Sequence, residues 1–387
     1  MNANPDAADD GGSAPDAPEP AGEENAAAAV DAGPLRPRRP DPDTLPRLAA
    51  IRRALEGAER VLVLTHDNPD PDAIASAAGL GLLVERVAGL PVTLAFGGII
   101  GRAENRALME ELGQPFERIE NVNLTPSTAV ALVDTQPRAG NNSLPAGRIA
   151  SVVVDHHPVR PESASATFAD VRPEYGACAS MVVEFLRAAR IEPDRRLATA
   201  LFYGIQSETM DLGRETSQAE VDASIYLYPR SDPGAISRIR HARVPRGLYR
   251  AIHEGLERAW SRGSVVCVPA GRLDYPDIVA QLADLFLRVQ GVEWVIAAGR
   301  YGSDVLLSLR TYEQGAHAGD VVRAVVGERG SAGGHGEMAG ARLSAGHLRP
   351  AEVEDLVASL FEDVCVALGV EEEPREPLIA TAGKRPE

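Results

Sequence analysis

Residues 149–157 read Ile-Ala-Ser-Val-Val-Val-Asp-His-His, an apolar run that ends in Asp155, His156 and His157. A carboxylate and two imidazoles at the end of such a run are ligand groups with no packing role. Two other stretches repeat the pattern. Residues 60–64, Arg-Val-Leu-Val-Leu, lead into Thr65-His66-Asp67-Asn68-Pro69-Asp70-Pro71-Asp72, and residues 129–133, Ala-Val-Ala-Leu-Val, lead into Asp134-Thr135. Continuous aliphatic runs of this length suit strands buried on both faces of a parallel sheet, and ligands of such sheets gather beyond the carboxyl ends of the strands. The three clusters are therefore expected to converge. Taken alone, Asp67, Asn68, Pro69 and Asp70 are ordinary turn formers. Strand-end Asp and His recurring three times are not explained that way.

Working outward, residues 73–87 read as a helix after the first cluster, giving the order strand, ligand loop, helix of an α/β unit. Residues 91–96 suggest a further strand and 102–112 a helix. Another helix opens at Tyr175-Gly176 with Met181, Val182, Phe185 and Leu186 on its apolar side, and Cys178 in its first turn reads as a small core residue. Helical residues 195–205 deliver the chain to Ser207-Glu208-Thr209-Met210-Asp211. Asp232-Pro233-Gly234 breaks the pattern, and an arginine-rich stretch, 238–250, leads into a helix ending near Trp260. A second unit follows, with strands at 265–268, 292–298 and 304–309, an amphipathic helix at 278–289 and a closing helix at 350–368.

A chain of 387 residues is too long for one ordinary core. The expected fold is α/β: a parallel-sheet domain with helices on both faces over 45–230, a linker over 231–262, and a smaller α/β domain over 263–370. Residues 1–44, rich in Ala, Pro, Gly, Asp and Glu without a period, are expected to form a disordered acidic leader. Residues 371–387 read as a charged tail.

Three cysteines, Cys178, Cys267 and Cys365, are odd in number and far apart, so the sequence indicates neither a disulfide framework nor a zinc site and fits a reducing cytoplasm. No apolar run approaches the roughly 18 residues needed to span a bilayer, so no membrane partner is expected. The net charge of −17 argues against a broad grip on duplex nucleic acid. The one lysine is Lys384, so nearly all positive charge is arginine, which binds phosphate with a planar fork.

The motifs resemble those of the DHH phosphoesterase superfamily, which includes RecJ-like exonucleases, oligoribonucleases, adenosine bisphosphate phosphatases and cyclic-dinucleotide hydrolases. The first motif is matched by His66, Asp70 and Asp72, with Ala73 and Ser76 following; the second by Asp134; the third by Asp155, His156 and His157. A signature of the DHH-associated domain is matched by Gly333-Gly334-His335-Gly336-Glu337-Met338-Ala339-Gly340, with Ser308-Leu309-Arg310 upstream. The resemblance implies a catalytic first domain and a substrate-binding second one. It assigns His66, Asp70 and Asp134 to one metal ion and Asp72, Asp134 and His156 to another, with Asp134 bridging. In the fourth motif an Asp of the family is replaced by Glu208, with Asp211 as a rival for the role. Arg310, Gly333, Gly334 and His335 are implied to hold a phosphate or base across the cleft.

Carboxylates mixed with imidazoles suit Mn²⁺, with Mg²⁺ and Zn²⁺ as substitutes, and the lack of thiolates disfavours a structural zinc. Two such ions activate water and stabilise an in-line phosphoryl displacement. Asp155 and His157 complete the expected catalytic set, Asp155 orienting or supplementing the ligands and His157 contacting phosphate and assisting the leaving oxygen. The expected partner is a short nucleotide: a short oligoribonucleotide, a linear or cyclic dinucleotide, or adenosine 3′,5′-bisphosphate. A homodimer is left open. Two other readings stand beside this one. A nucleotide-sensing module would keep the site and lose turnover through Glu208. A single-strand exonuclease would need an aromatic and basic platform, against an aromatic content of 4%. A pyrophosphatase of the same superfamily pairs an Arg with a Lys in its second domain, which Lys384 is badly placed to supply.

Overall fold

The valine and leucine runs build a six-stranded sheet from β1 (Arg60–Leu64), β2 (Val92–Phe96), β3 (Phe116–Arg118), β4 (Thr128–Val133), β5 (Val152–Asp155) and β6 (Phe168–Val171). Its order is β3-β2-β1-β4-β5-β6, with every neighbouring pair parallel. The structure is a computed structural model and describes residues 42–313 and 315–379. Because side chains alternate along a strand, Val61, Val63, Ala131, Val133, Val152 and Val154 enter one core. They share it with residues of α1 (Thr44–Ala54), α2 (Pro71–Ala88), α3 (Ala103–Leu112), α4 (Cys178–Ala188) and α5 (Arg195–Glu208). Leu62, Leu64, Val130, Leu132 and Val153 pack on the opposite face with Ile119, Leu124 and Leu144. Both faces are thus buried, which is why the strands read as continuous apolar runs.

Chain order reverses between β1 and β4, with β2 and β3 to one side and β5 and β6 to the other. The three strands that end in ligand residues, β1, β4 and β5, are therefore immediate neighbours, and their carboxyl ends meet at the switch point of the sheet. Local chemistry tightens this arrangement. Asp70 caps α2 by accepting from the Ala73 amide at 3.0 Å, and Pro71 occupies the first turn. Where α5 crosses the start of α2, a side chain on Gly204 would meet the Pro71 carbonyl at 3.1 Å and Asp72 Cα at 3.3 Å. Glycine at that position allows the end of α5, and with it Glu208, to approach the first ligand loop.

After α6 (Gln218–Leu227), α7 (Pro233–Arg240) and α8 (Arg246–Arg258), a second sheet forms from β7 (Trp260–Arg262), β8 (Val265–Arg272), β9 (Trp294–Tyr301), β10 (Asp304–Thr311), β11 (Gly330–His335), β12 (Met338–Ser344) and β13 (Glu376–Pro377). The order is β11-β12-β10-β9-β8-β7-β13, with β8 and β9 parallel and the other pairs antiparallel. On one face Val266, Val268 and Val295 pack with Leu248 and Ala251 of α8 and with Leu282 and Phe286 of α9 (Ile278–Phe286). On the other, Ile296, Leu307 and Leu309 pack with Val322 of α10 (Ala318–Val326) and Phe361 of α11 (Pro350–Ala367).

The stretch 231–262, read as a linker, carries two helices and a strand, and α8 and β7 belong to the second core and sheet. Leu248 and Ala251 of α8 supply apolar area that covers one face of the second sheet. The leader lies outside the described residues as far as position 41, and α1 begins at Thr44. Within the tail, Glu376 and Pro377 pair with Ser261 and Trp260, while residues 380–387 lie outside the description. All three cysteines are buried and free, and Cys178 sits in the core with its thiol 3.4 Å from the Val154 carbonyl. Among the described residues no helix is long and apolar enough to cross a membrane.

Candidate metal centre

Asp134 is the centre of the site. It follows β4 in a left-handed conformation, φ 58°, and its amide donates to the Val154 carbonyl at 2.9 Å, which ties it to β5. A left-handed non-glycine residue carries local strain that the surrounding structure must hold, a pattern that clusters at functional sites. Its buried carboxylate is ringed by imidazoles: Oδ2 lies 3.5 Å from His66 Nε2, and Oδ1 lies 3.4 Å from His156 Nε2 and 3.7 Å from His157 Nδ1. Asp70 Oδ2 lies 3.7 Å from His66 Nε2 on the other side of that ring.

Two groups of ligand atoms close enough to hold an ion share this one carboxylate: His66, Asp70 and Asp134, and Asp134, His156 and His157. Asp134 Oδ1 is buried and, among the described residues, has no partner at hydrogen-bond geometry. A buried orphan acceptor facing imidazole nitrogens is what a cation would satisfy, so the donor set fits divalent metal.

Each histidine is oriented by its other nitrogen. His66 Nδ1 donates to the Asp67 carbonyl at 2.9 Å and His156 Nδ1 to the Tyr175 carbonyl at 3.1 Å, turning both Nε2 atoms toward the carboxylates. Burial disfavours their charged forms, yet the close Asp134 carboxylate, with Asp70 beside His66, holds both pKa values well above the usual imidazole value. Burial opposes ionisation of Asp134 too, and the nearby imidazoles of His156 and His66 outweigh it, so its pKa falls below the carboxylate range.

Asp72 lies in the first turn of α2, and its carboxylate reaches the start of α4, where its oxygens accept from the Cys178 amide at 2.7 Å and the Ala179 amide at 2.8 Å. Its Oδ2 is 3.9 Å from His156 Nε2, and burial followed by repulsion from Asp134 pushes its pKa well up. Glu208 is half-buried; burial, then the charge of Asp70, raises its pKa, and it acts electrostatically on Asp72 and His156. Asp211 turns away and pairs with Arg240 at 2.6 Å on the surface. Of the two rivals, Glu208 is the one brought to the cluster.

Asp155, read from the sequence as part of the catalytic set, is completely buried. Its Oδ1 accepts from the His156 amide at 3.0 Å and from His157 Nδ1 at 2.8 Å, and its Oδ2 from Gln136 Nε2 at 2.6 Å. It reaches the site through His157, whose side chain is about one-third exposed, and it does not itself face the cleft. Gln136 is a residue that sequence reasoning missed. Its amide also donates to the Pro158 carbonyl and accepts from the Arg160 amide and the Ser163 hydroxyl. The signal available was position, two residues after Asp134 on the same strand end. Arg172 was missed as well: it pairs bidentately with Asp170 and donates to Glu184 and to the Tyr175 hydroxyl. This network holds the segment whose Tyr175 carbonyl orients His156.

Beside His156 opens a cavity of about 360 Å³ lined by Tyr175, Glu215, Thr216 and, from the second domain, Gly336. The Gly-rich turn between β11 and β12 therefore faces the candidate metal centre. Gly333 and Gly334 lie on β11 opposite Gly340 and Ala339, and His335 ends the strand opposite Met338. Arg310 is largely buried; its Nε donates to Asp284 at 2.9 Å and its Nη1 to the carbonyls of Leu309 and Ala339. Two other arginines of the second domain, Arg323 and Arg342, pair with Asp320 and Asp304.

A switch-point cluster of carboxylates and imidazoles, covered by a second α/β domain, defines a two-domain metal-binding α/β protein. The chain belongs to the DHH family: the model of the DHH family N-terminal domain matches residues 60–205, and that of the DHHA1 domain matches residues 266–365. An uncharacterised protein of Methanocaldococcus jannaschii is 32% identical over 81% of this chain and 65% of its own length. A cyclic-di-AMP phosphodiesterase of Geobacillus thermodenitrificans is 26% identical over 76% of this chain and 46% of its own. The chain thus spans between about half and two-thirds of these relatives. An exopolyphosphatase-related protein from Bacteroides fragilis shares the fold, with a TM-score of 0.62 at 13% identity over 84% of this chain and 98% of that one.

Proposed function

We propose that the chain is a divalent-metal-dependent phosphoesterase of the cytoplasm, acting on short nucleotides: short oligoribonucleotides, linear or cyclic dinucleotides, or adenosine 3′,5′-bisphosphate. The observation that carries this reading is Asp134, which among the described residues is shared by two ligand groups and has a buried Oδ1 with no partner at hydrogen-bond geometry. His66, Asp70 and Asp134 would hold one ion, and Asp134 with His156 and either Asp72 or His157 the other, with Glu208 at the edge of the second. Two bound divalent ions, Mn²⁺ foremost, supply an activated water and charge stabilisation for phosphoryl displacement.

The chain's own groups do the rest. Asp155 and Gln136 set the orientation of His157, so that its imidazole is aimed rather than free to rotate, as a group that contacts phosphate and protonates a leaving oxygen must be. The narrow cavity against Gly336 favours a small substrate, and glycine there lets backbone approach an anion. The phosphodiesterase relative supports the dinucleotide end of the substrate range. The test is hydrolysis of pApA, short RNAs, cyclic di-AMP and adenosine bisphosphate with Mn²⁺, read by product separation. Metal-dependent cleavage of at least one small member, faster than that of long single strands, is expected; a chain that binds metal yet cleaves none is a sensor instead.

A further inference from the structure

Between α11 and the carboxyl ends of the parallel strands β8 and β9 lies a cavity of about 870 Å³, within the size range of small-molecule sites. It is remote from the candidate metal centre. The cavity borders Arg300 and Gly302, at the end of β10 where Asp304 pairs with Tyr301, whereas the Gly336 turn lies at the other end, where Arg310 pairs with Met338. From Asp304 to Arg310 the strand covers roughly 20 Å.

A bulge equips this cavity. Pro269 pairs with Ala298 and Arg272 with Arg300, so β8 takes three steps where β9 takes two. Gly271, at φ 60°, accommodates the extra residue. Strict alternation from Val266, Val268 and Ala270 would carry Arg272 to the face covered by α8 and α9. The extra residue turns the strand over: Leu273 joins that core instead, and Arg272 lines the cavity beside Arg300 on the α11 side. Like charges directly opposite one another on neighbouring strands repel. Among the described residues neither guanidinium has an ion-pair partner, and Arg300 Nε donates to the Gly302 carbonyl at 3.1 Å. Of the carboxylates lining the cavity, Glu362 pairs with Arg262, Glu354 lies 3.9 Å from Arg258, and Asp355 is exposed. The rest of the wall is apolar: Trp260 and Phe361 meet edge to face with ring centroids 6.3 Å apart, and Val353 and Val357 face them from α11. The exposed Arg375 lies over the Trp260 ring, 4.1 Å from its centroid.

We propose that this cavity is a second ligand site, for an organic phosphate whose phosphate sits on Arg272 and Arg300 and whose body lies against Trp260, Phe361, Val353 and Val357. A phosphate monoester carries close to two negative charges and three acceptor oxygens, so a single group can engage both guanidinium forks and relieve their repulsion. The cavity is far larger than phosphate alone requires, and its apolar wall favours a ligand with a ring or hydrocarbon chain to cover it. The site lies within the second domain, and binding there needs neither metal nor reaction.

The full chain is titrated in chelator with AMP, octyl phosphate, adenosine and inorganic phosphate, and binding is read by calorimetry. The chain has two tryptophans, so in Trp294→Phe the fluorescence of Trp260 reports on the cavity. At least one of AMP and octyl phosphate is expected to bind about tenfold or more tighter than both adenosine and inorganic phosphate, and to change that fluorescence; AMP ahead identifies a ring as the body, octyl phosphate a hydrocarbon chain. Arg272→Gln and Arg300→Gln should each weaken this binding by about 10- to 100-fold, the loss of a charge-assisted bond. Ala358→Phe, on the exposed side of α11, fills the cavity while keeping both charges and should weaken it comparably. His335→Ala should change it less than about threefold, since distant sites act independently. Melting curves confirm that each variant is folded. Organic phosphates that bind no tighter than inorganic phosphate, binding unmoved by the arginine and Ala358 substitutions, or binding lost in His335→Ala would each overturn the proposal. All of these readings are made without turnover, so they stand or fall apart from the phosphoesterase assay.

Discussion

Replacing Asp134 with Asn keeps shape and removes charge, and its consequence can be worked from the distances. The wild-type carboxylate stands 3.4, 3.5 and 3.7 Å from nitrogens of His156, His66 and His157, and both ligand groups contain it. Loss of even an outer partner of a metal ligand typically weakens metal binding by about 10- to 100-fold. Here each ion loses an inner ligand, so roughly tenfold is the least expected per ion. Turnover needs both ions, and the product of the two losses places the fall in kcat between about 10² and 10⁴. KM for a dinucleotide should stay within a fewfold, since the second domain is untouched. The assay is metal content after dialysis against micromolar Mn²⁺, melting temperature with and without the ion, and kcat on the best substrate from the panel. Wild type should melt higher with Mn²⁺, and the variant should show little of that gain. A variant that retains two ions per chain and turns over within tenfold of wild type would refute the bridging role.

Other outcomes follow from the same geometry. In the metal-free chain the pKa values of His66 and His156 are raised, so they contribute stability that is complete below their unfolded value of about 6.5 and is lost as pH climbs through the raised values. Mn²⁺ binding at neutral pH should therefore release protons and tighten with rising pH over that window; calorimetry in buffers of different ionisation enthalpy measures this, and a binding heat independent of buffer would contradict it. Gln136→Ala leaves Asp155 Oδ2 without its 2.6 Å donor in a dry site, at a cost of about 1–3 kcal/mol. Its kcat should fall through misaligned His157 while metal content stays at the wild-type level. Gly204→Val pushes α5 against Pro71 and Asp72 and should lower both melting temperature and metal affinity, by about 1–3 kcal/mol of overpacking in stability; an unchanged metal titration would show that Glu208 and the first loop are not coupled through this contact.

Local patterns carried a great deal of this protein. An apolar run followed at once by Asp or His says where a strand stops and that its end is chemically equipped, because alternation, burial and chain direction are properties of consecutive residues. Asp70 at the cap of α2, Asp134 after β4 and His156 after β5 were all legible in that way. The motif Gly333–Gly340 was legible but the strand that leads into it was not, since Gly-Ser-Ala-Gly-Gly at 330–334 has no β-branched residue; β11 exists through pairing with β12. The shared pattern of β1, β4 and β5 led to the expectation that the three strand ends converge, but only the folded chain fixed the order β1-β4-β5, because pairing between separate segments is written in neither one alone. Only the folded chain made Asp155 a buried support through Gln136, set Glu208 within electrostatic reach of the cluster while pairing Asp211 with Arg240, and gave Arg310 an acidic partner that also holds Arg102 from the other domain. Which groups become ligands is written along the chain by residue type; which donor satisfies which acceptor is decided when burial strips their water and distant segments must satisfy one another.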